Sequence, residues 1–208
     1  ILKCLEKDAL QYNVVVGYLV ELLERRSLTQ AAEYLALKVL EQDKVALQPR
    51  LARQLEGYRA MKVGAQVPEI QFAGDILLQG KPITYPTRLS EVTAAYRLVI
   101  VGASWCPACS EAMGELIPLY EKWKGLGLEA IFVSLDTDPK AFQAYSESMP
   151  FIAFSDYKKW DTQVVQDYYV SSSPSFYLID QEGKLLLRPQ SVKQLDAWVD
   201  WKLGADKQ

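Results

Sequence analysis

Apolar residues recur at mixed three- and four-residue steps through residues 1–62, the spacing of amphipathic helices. Leu5, Leu10, Tyr12, Val15, Leu19, Leu22 and Leu23 predict a first helix over residues 5–25. Ser27 and Gln30 form a capping-box pair for a second helix, which carries Ala32, Tyr34, Leu35, Val39 and Leu40. Pro49 suits the opening of a third, because a proline in the first helical turn sacrifices no hydrogen bond; Leu51, Leu55 and Tyr58 lie along one face. The region reads as a three-helix cap packed on its neighbour, with a partner or dimerisation surface as the sharper alternative.

After Val63-Gly64 the pattern changes. Residues 69–72 and 76–79 predict short strands around Gly74, and Gly80-Lys81 a turn. Leu98-Val99-Ile100-Val101 is short, β-branched and continuous, so it reads as a strand buried on both faces. Helices are expected over residues 107–124, 139–147, 161–169 (Asp161 or Thr162 at the cap) and 192–203. Strands are expected over residues 128–135 and 175–179, the latter turning through 180–183 into a hairpin partner at 184–187. Alternating strands and helices argue for an α/β sheet covered by helices on both faces. The expected organisation is a helical region over residues 1–62 and an α/β domain over residues 63–208, without repeats.

Composition narrows the function. Half of the 208 residues are apolar, the pattern of an ordinary globular chain. A net charge of −3 with no basic cluster argues against nucleic-acid binding. No stretch reaches the ~18 apolar residues of a membrane span, and Glu21 interrupts the nearest. The chain opens at Ile1 rather than Met, as expected of a trimmed chain, so a missing signal peptide says nothing about destination.

Three cysteines are too few for a disulfide scaffold, and there is no histidine. Cys106 and Cys109 have no second ligand pair, which argues against a zinc site, and no metal or organic cofactor is expected. Ser-His-Asp and Cys-His catalysis are both excluded. What remains for Trp105-Cys106-Pro107-Ala108-Cys109 is thiol–disulfide chemistry. Pro107 suits a first helical turn, which sets Cys106 at a helix N-terminus, where free N–H groups favour a thiolate.

The bland readings are also explicit. Cys4 is expected to be a small buried hydrophobe. Tyr168, Tyr169, Phe176 and Tyr177 read as core and groove packing. Asp136, Asp138, Glu111 and Glu115 read as solvated surface.

WCPAC after a hydrophobic strand, with Val170-Ser171-Ser172-Ser173-Pro174-Ser175-Phe176-Tyr177-Leu178-Ile179-Asp180 downstream, resembles the thioredoxin superfamily. More closely the chain is similar to TlpA/ResA-like thiol–disulfide oxidoreductases, and Val63-Gly64-Ala65-Gln66-Val67-Pro68-Glu69-Ile70 resembles their entry motif. The likeness covers residues 63–205. It implies a thioredoxin-like fold with a central mixed sheet, a cis Pro174, Cys106 as nucleophile and Cys109 as resolving thiol. Trp105, Pro107, Ala108, Ser173 and Pro174 would meet the substrate, with the Ser173 backbone pairing with an extended strand. It further implies protein thiol or disulfide substrates, an upstream electron donor and a periplasmic or cell-envelope location. Reduction is the preferred direction, because a CxxC loop without histidine lacks one cation that would stabilise the thiolate and make the couple more oxidising.

The chain departs from that family at two proton-handling positions, where Ile100 and Ala112 stand in place of polar or acidic residues. Glu111 is about 100° around the helix from Ala112 and faces elsewhere. Gly114 takes the place of a kinking proline, leaving Pro118 to bend that helix. The rivals are a partner-binding or assembly module on the same fold and a peroxiredoxin-type peroxidase. The second is weakened because no Thr-x-x-Cys arrangement precedes Cys106.

Overall fold

The computed structural model describes residues 2–26, 28–42 and 44–204. The chain divides into two compact units, Ile1–Lys62 and Val63–Gln208.

The first unit is helical: α1 (Leu2–Leu5), α2 (Ala9–Arg25), α3 (Thr29–Gln42) and α4 (Pro49–Ala60). The expected first helix is split in two. Asp8 takes an extended conformation and its carboxylate accepts a hydrogen bond from Gln11 N (3.0 Å), so α2 starts afresh at Ala9. Cys4 is therefore on a separate four-residue helix and is exposed, not buried as expected. The inward face of α2 is Tyr12, Val16 and Val20 at four-residue steps, whereas Leu10, counted among the apolar set, is 66% exposed on another face. Ala32, Ala36 and Val39 of α3 and Leu51, Leu55 and Tyr58 of α4 complete this core. The Ser27 half of the capping box lies outside the described residues. Pro49 opens α4 as expected.

One buried polar residue organises the α3–α4 connection. Asn13 Nδ2 donates to the carbonyls of Ala9 (2.7 Å) and Ala46 (3.0 Å), and its Oδ1 accepts from Gln48 N (2.7 Å). The amide thus satisfies a carbonyl and an N–H of the incoming connection, which the helices cannot serve.

The second unit contains, among the described residues, a seven-stranded mixed sheet in the order β2-β1-β5-β4-β3-β6-β7. Its strands are β1 (Asp75–Leu78), β2 (Lys81–Pro82), β3 (Tyr96–Gly102), β4 (Leu128–Ser134), β5 (Ile152–Ser155), β6 (Ser175–Asp180) and β7 (Leu185–Leu187). β3 runs parallel to β4 and antiparallel to β6, so the strand before the cysteines is paired along both edges. Leu98 and Ile100 face a core shared by α5 (Pro107–Gly125), α6 (Pro139–Ser146) and α8 (Val192–Lys202). Val99 and Val101 alternate to the opposite face and are buried too, which is why the strand reads as a continuous apolar run. Lys122 and Trp123 of α5 both donate to Asp196 Oδ1 of α8, at 2.8 and 2.9 Å, fastening these helices to each other.

Three other expectations change. Residues 69–72 form no strand: Gln71 makes one isolated bridge to Arg88, and Phe72 N donates to Thr87 O. β5 was not anticipated; four residues buried between β1 and β4 are too short for a period to show. The helix expected over 161–169 is a 3-10 turn (Lys159–Asp161) followed by α7 (Gln163–Asp167). α5 runs through Gly114 and Pro118 without interruption.

The Asn13 bonds generate a stability prediction. Asn13→Ala removes the part-buried bonds to Ala46 and Gln48 and should cost about 0.5–1.5 kcal/mol. Urea unfolding of the full chain checks this, with faster hydrogen exchange at the Gln48 amide as its local signature. An unchanged midpoint would discount the role given to Asn13.

Candidate active site

The site grows from the junction between β3 and α5. Gly102 ends the strand, residues 103–105 form a short turn, and Cys106 is the N-cap of α5, with Pro107 in its first turn. The Cys106 carbonyl accepts from Cys109 N (3.0 Å) and Ser110 N (3.1 Å), and its sulfur accepts from Cys109 N at 3.2 Å. That last N–H is shared between the carbonyl and the sulfur of Cys106, and its approach favours negative charge on the sulfur.

The two sulfurs are in bonding contact, with Cα atoms 5.2 Å apart, inside the range that a disulfide requires. The two cysteines differ in access: Cys106 is 7% exposed and Cys109 0%. Trp105 is 49% exposed beside them, with Lys159 Nζ 5.1 Å from its ring centroid. Pro107 and Ala108 are exposed on the first turn of α5. The segment just ahead of β6, the antiparallel neighbour of β3, completes the site. Ser173 O is 3.6 Å from Cys106 Sγ, the Ser173 hydroxyl donates toward the same sulfur at 3.5 Å, and the Ser173–Pro174 peptide is cis. Cys106, Cys109 and Ser173, distant in sequence, therefore converge on one point.

Behind the pair the site is tight and apolar. A Cβ placed on Gly102 would lie 2.9 Å from the Phe132 ring and 3.2 Å from Cys109 Sγ, so only glycine leaves room for the buried sulfur. Ile100 is fully buried, in register with Phe132 and Phe176, and offers no polar atom there. Ala112 packs against the core, while Glu111 and Glu115 are exposed on α5. Tyr168 and Tyr177 stack edge-on as buried core, their hydroxyls donating to the carbonyls of Pro68 (2.8 Å) and Tyr168 (3.0 Å).

Asp136 overturns its expected place on the surface: it is 1% exposed. Its Oδ2 accepts from Ser104 N at 3.1 Å, and its carboxylate also accepts from the hydroxyls of Ser104 and Ser134, each at 2.6 Å. Asp138, by contrast, is an exposed N-cap of α6. Asp136-Thr137-Asp138-Pro139 reads as a polar connection, and nothing local marks its first acid as buried; the approach of Ser104 from β3 does that. Among the described residues no cluster of three metal-ligating side chains exists, and no helix is long and apolar enough to cross a membrane.

Comparison with known proteins agrees with this geometry. A family model described as thioredoxin-like matches residues 95–185, from the start of β3 to the start of β7. The second unit has a thioredoxin-like fold. Thiol-disulfide oxidoreductase ResA of Bacillus cereus is 24% identical over 142 residues, covering 67% of this chain and 78% of that protein. A nucleoredoxin of Arabidopsis thaliana is 31% identical over 87 residues, and the chain spans only 15% of its length. Among solved structures, the thioredoxin domain of a thiol-disulfide oxidoreductase from Bacteroides vulgatus superposes with a TM-score of 0.57 at 22% identity, covering 68% of this chain and 97% of that one. A thiol:disulfide interchange protein from a Bacteroides species gives 0.58 at 22% identity, over 70% and 92%. These structures share the fold of the thioredoxin-like domain.

Gly102→Ala is expected to destabilise the domain by about 1–3 kcal/mol, because the added methyl overpacks Phe132 and Cys109. Chemical denaturation of the oxidised protein measures it, and a wild-type midpoint would show that the site has slack.

Proposed function

We propose that the chain is a thiol–disulfide oxidoreductase that reduces protein disulfides in the bacterial cell envelope. The observation that carries this reading is the unequal placement of the two sulfurs: Cys106, at a helix N-terminus, keeps a small exposure of 7%, and Cys109 lies fully buried. Likeness to ResA, a thiol-disulfide oxidoreductase, supports the reaction class.

Starting from the dithiol, Cys106 loses its proton to solvent and its thiolate attacks one sulfur of a substrate disulfide. The substrate S–S bond breaks and its other sulfur leaves as a thiolate, which takes up a proton. The product is a mixed disulfide through Cys106. Cys109 then gives up its proton and attacks Cys106 Sγ. The second substrate thiolate departs, leaving the Cys106–Cys109 disulfide and a fully reduced substrate. Two electrons have passed to the substrate, and an external dithiol donor restores the pair. Trp105, Pro107 and Ala108 form the exposed rim of this reaction, and the Ser173–Pro174 edge offers backbone groups to an extended substrate segment.

Reduction is the favoured direction because the WCPAC loop carries no histidine; a cation there would stabilise the thiolate and make the pair more oxidising. Equilibration in glutathione buffers is expected to give a potential near thioredoxin's, about −270 mV, and Cys109→Ser should accumulate mixed disulfides that Cys106→Ser does not form. A potential near about −120 mV would reverse the direction. A pair that never oxidises would end the reading.

A further inference from the structure

Asp136 is a buried charge that the exchange reaction does not use. Its carboxylate sits just beyond β4, surrounded by donors: the backbone N–H and hydroxyl of Ser104, and the hydroxyl of Ser134. Among the described residues no Lys or Arg forms an ion pair with it. Its hydrogen bonds therefore orient the carboxylate, while no cation offsets its negative charge. Low exposure also keeps that charge from being screened by solvent.

The carboxylate is tied directly to the nucleophile's turn. Ser104 stands two residues before Cys106, and Cys106 N donates to Ala103 O at 3.3 Å. Leu135 N donates to Gly102 O at 2.7 Å, which clamps the ends of β3 and β4 together beneath the turn. The Asp136 carboxylate also acts on a part-buried phenol of α6. The phenol of Tyr145, on α6, has its pKa pushed up chiefly by burial; the Ser110 hydroxyl opposes the shift and the Asp136 carboxylate adds to it. Ser110 follows Cys109 directly in the first turn of α5.

We infer that Asp136 is a positioning residue that sets the poise of the redox pair: it holds the Ser104 turn and places a negative charge with no cationic partner beside the turn that leads into Cys106, which disfavours the thiolate and so favours the disulfide over the dithiol. The inference rests on the oxidoreductase reading. Its effect is to make the dithiol form a stronger reductant, countering the helix N-terminus, which pulls in the opposite sense. In glutathione buffer the balanced reaction is Cys106–Cys109 disulfide plus two glutathione thiols giving the dithiol plus glutathione disulfide. A change in thiolate stability appears directly in this equilibrium constant.

The test compares two substitutions in the full chain. Asp136→Asn removes the charge and keeps the shape. In mildly alkaline glutathione buffer it should shift the equilibrium at least threefold toward the dithiol, about 14 mV at roughly 30 mV per tenfold. Ser104→Ala loses a hydrogen bond but keeps the charge, and should stay much closer to wild type. An unshifted Asp136→Asn, or an equal shift in Ser104→Ala, would overturn the electrostatic role. If circular dichroism shows Asp136→Asn unfolded, Asp136→Ser is measured in its place, and failure of both to fold would reduce Asp136 to a structural residue. A wild-type chain that forms no disulfide in any buffer would instead sink the oxidoreductase reading, a separate outcome.

Discussion

The second unit depends on the pairing of β3 along both edges. Its parallel ladder to β4 and antiparallel ladder to β6 leave no free backbone group in the middle of the strand. Both faces are then buried, so the strand has no freedom to shift or tilt without breaking a ladder and two cores together. Everything at the redox pair inherits that rigidity. The strand delivers Gly102, the turn follows within three residues, and Cys106 arrives as the first capped position of α5. β6, paired to the other edge of β3, brings Ser173 to the same sulfur.

The same constraint explains the unequal burial of the two sulfurs. A helix leaving a buried strand must turn sharply, so its first residue faces outward and the residue one turn later faces back into the core. Cys106 and Cys109 occupy these two positions. Gly102 has no side chain because the returning sulfur fills the space its Cβ would need. The apolar residues behind the pair, Ile100 among them, leave it dry and without an internal acid. The buried carboxylate is on the other side of the turn, at Asp136, anchored by Ser104 of that turn and Ser134 at the end of β4.

Much of this was legible along the chain. Strong local signals survived folding: the apolar run of β3, the WCPAC turn, Pro49 and Pro107 at helix starts, and the hairpin that follows residue 180. Signals failed where the deciding partner was remote or the segment was short. Asp8 interrupts an apolar pattern that otherwise continues through it, because a side-chain cap outweighs the hydrophobic period at that point. β5 is four residues long and is a strand only because β1 and β4 flank it. Cys4 looks like a core residue until the break after α1 detaches it from the α2 face.

The sequence alone determined the chemistry available. Without histidine, and with two cysteines separated by two residues at a predicted strand–helix junction, thiol–disulfide exchange was what remained. Those facts are properties of residue type and spacing, which folding does not alter. Only the tertiary structure decided which groups surround the pair. Ser173 approaches from 64 or more residues downstream of Cys109, and Asp136 leaves the solvent because Ser104 and Ser134 supply its hydrogen bonds. Burial of this carboxylate depends on the Ser104 turn, brought from 32 residues away, and no local pattern in an unfolded chain encodes that meeting.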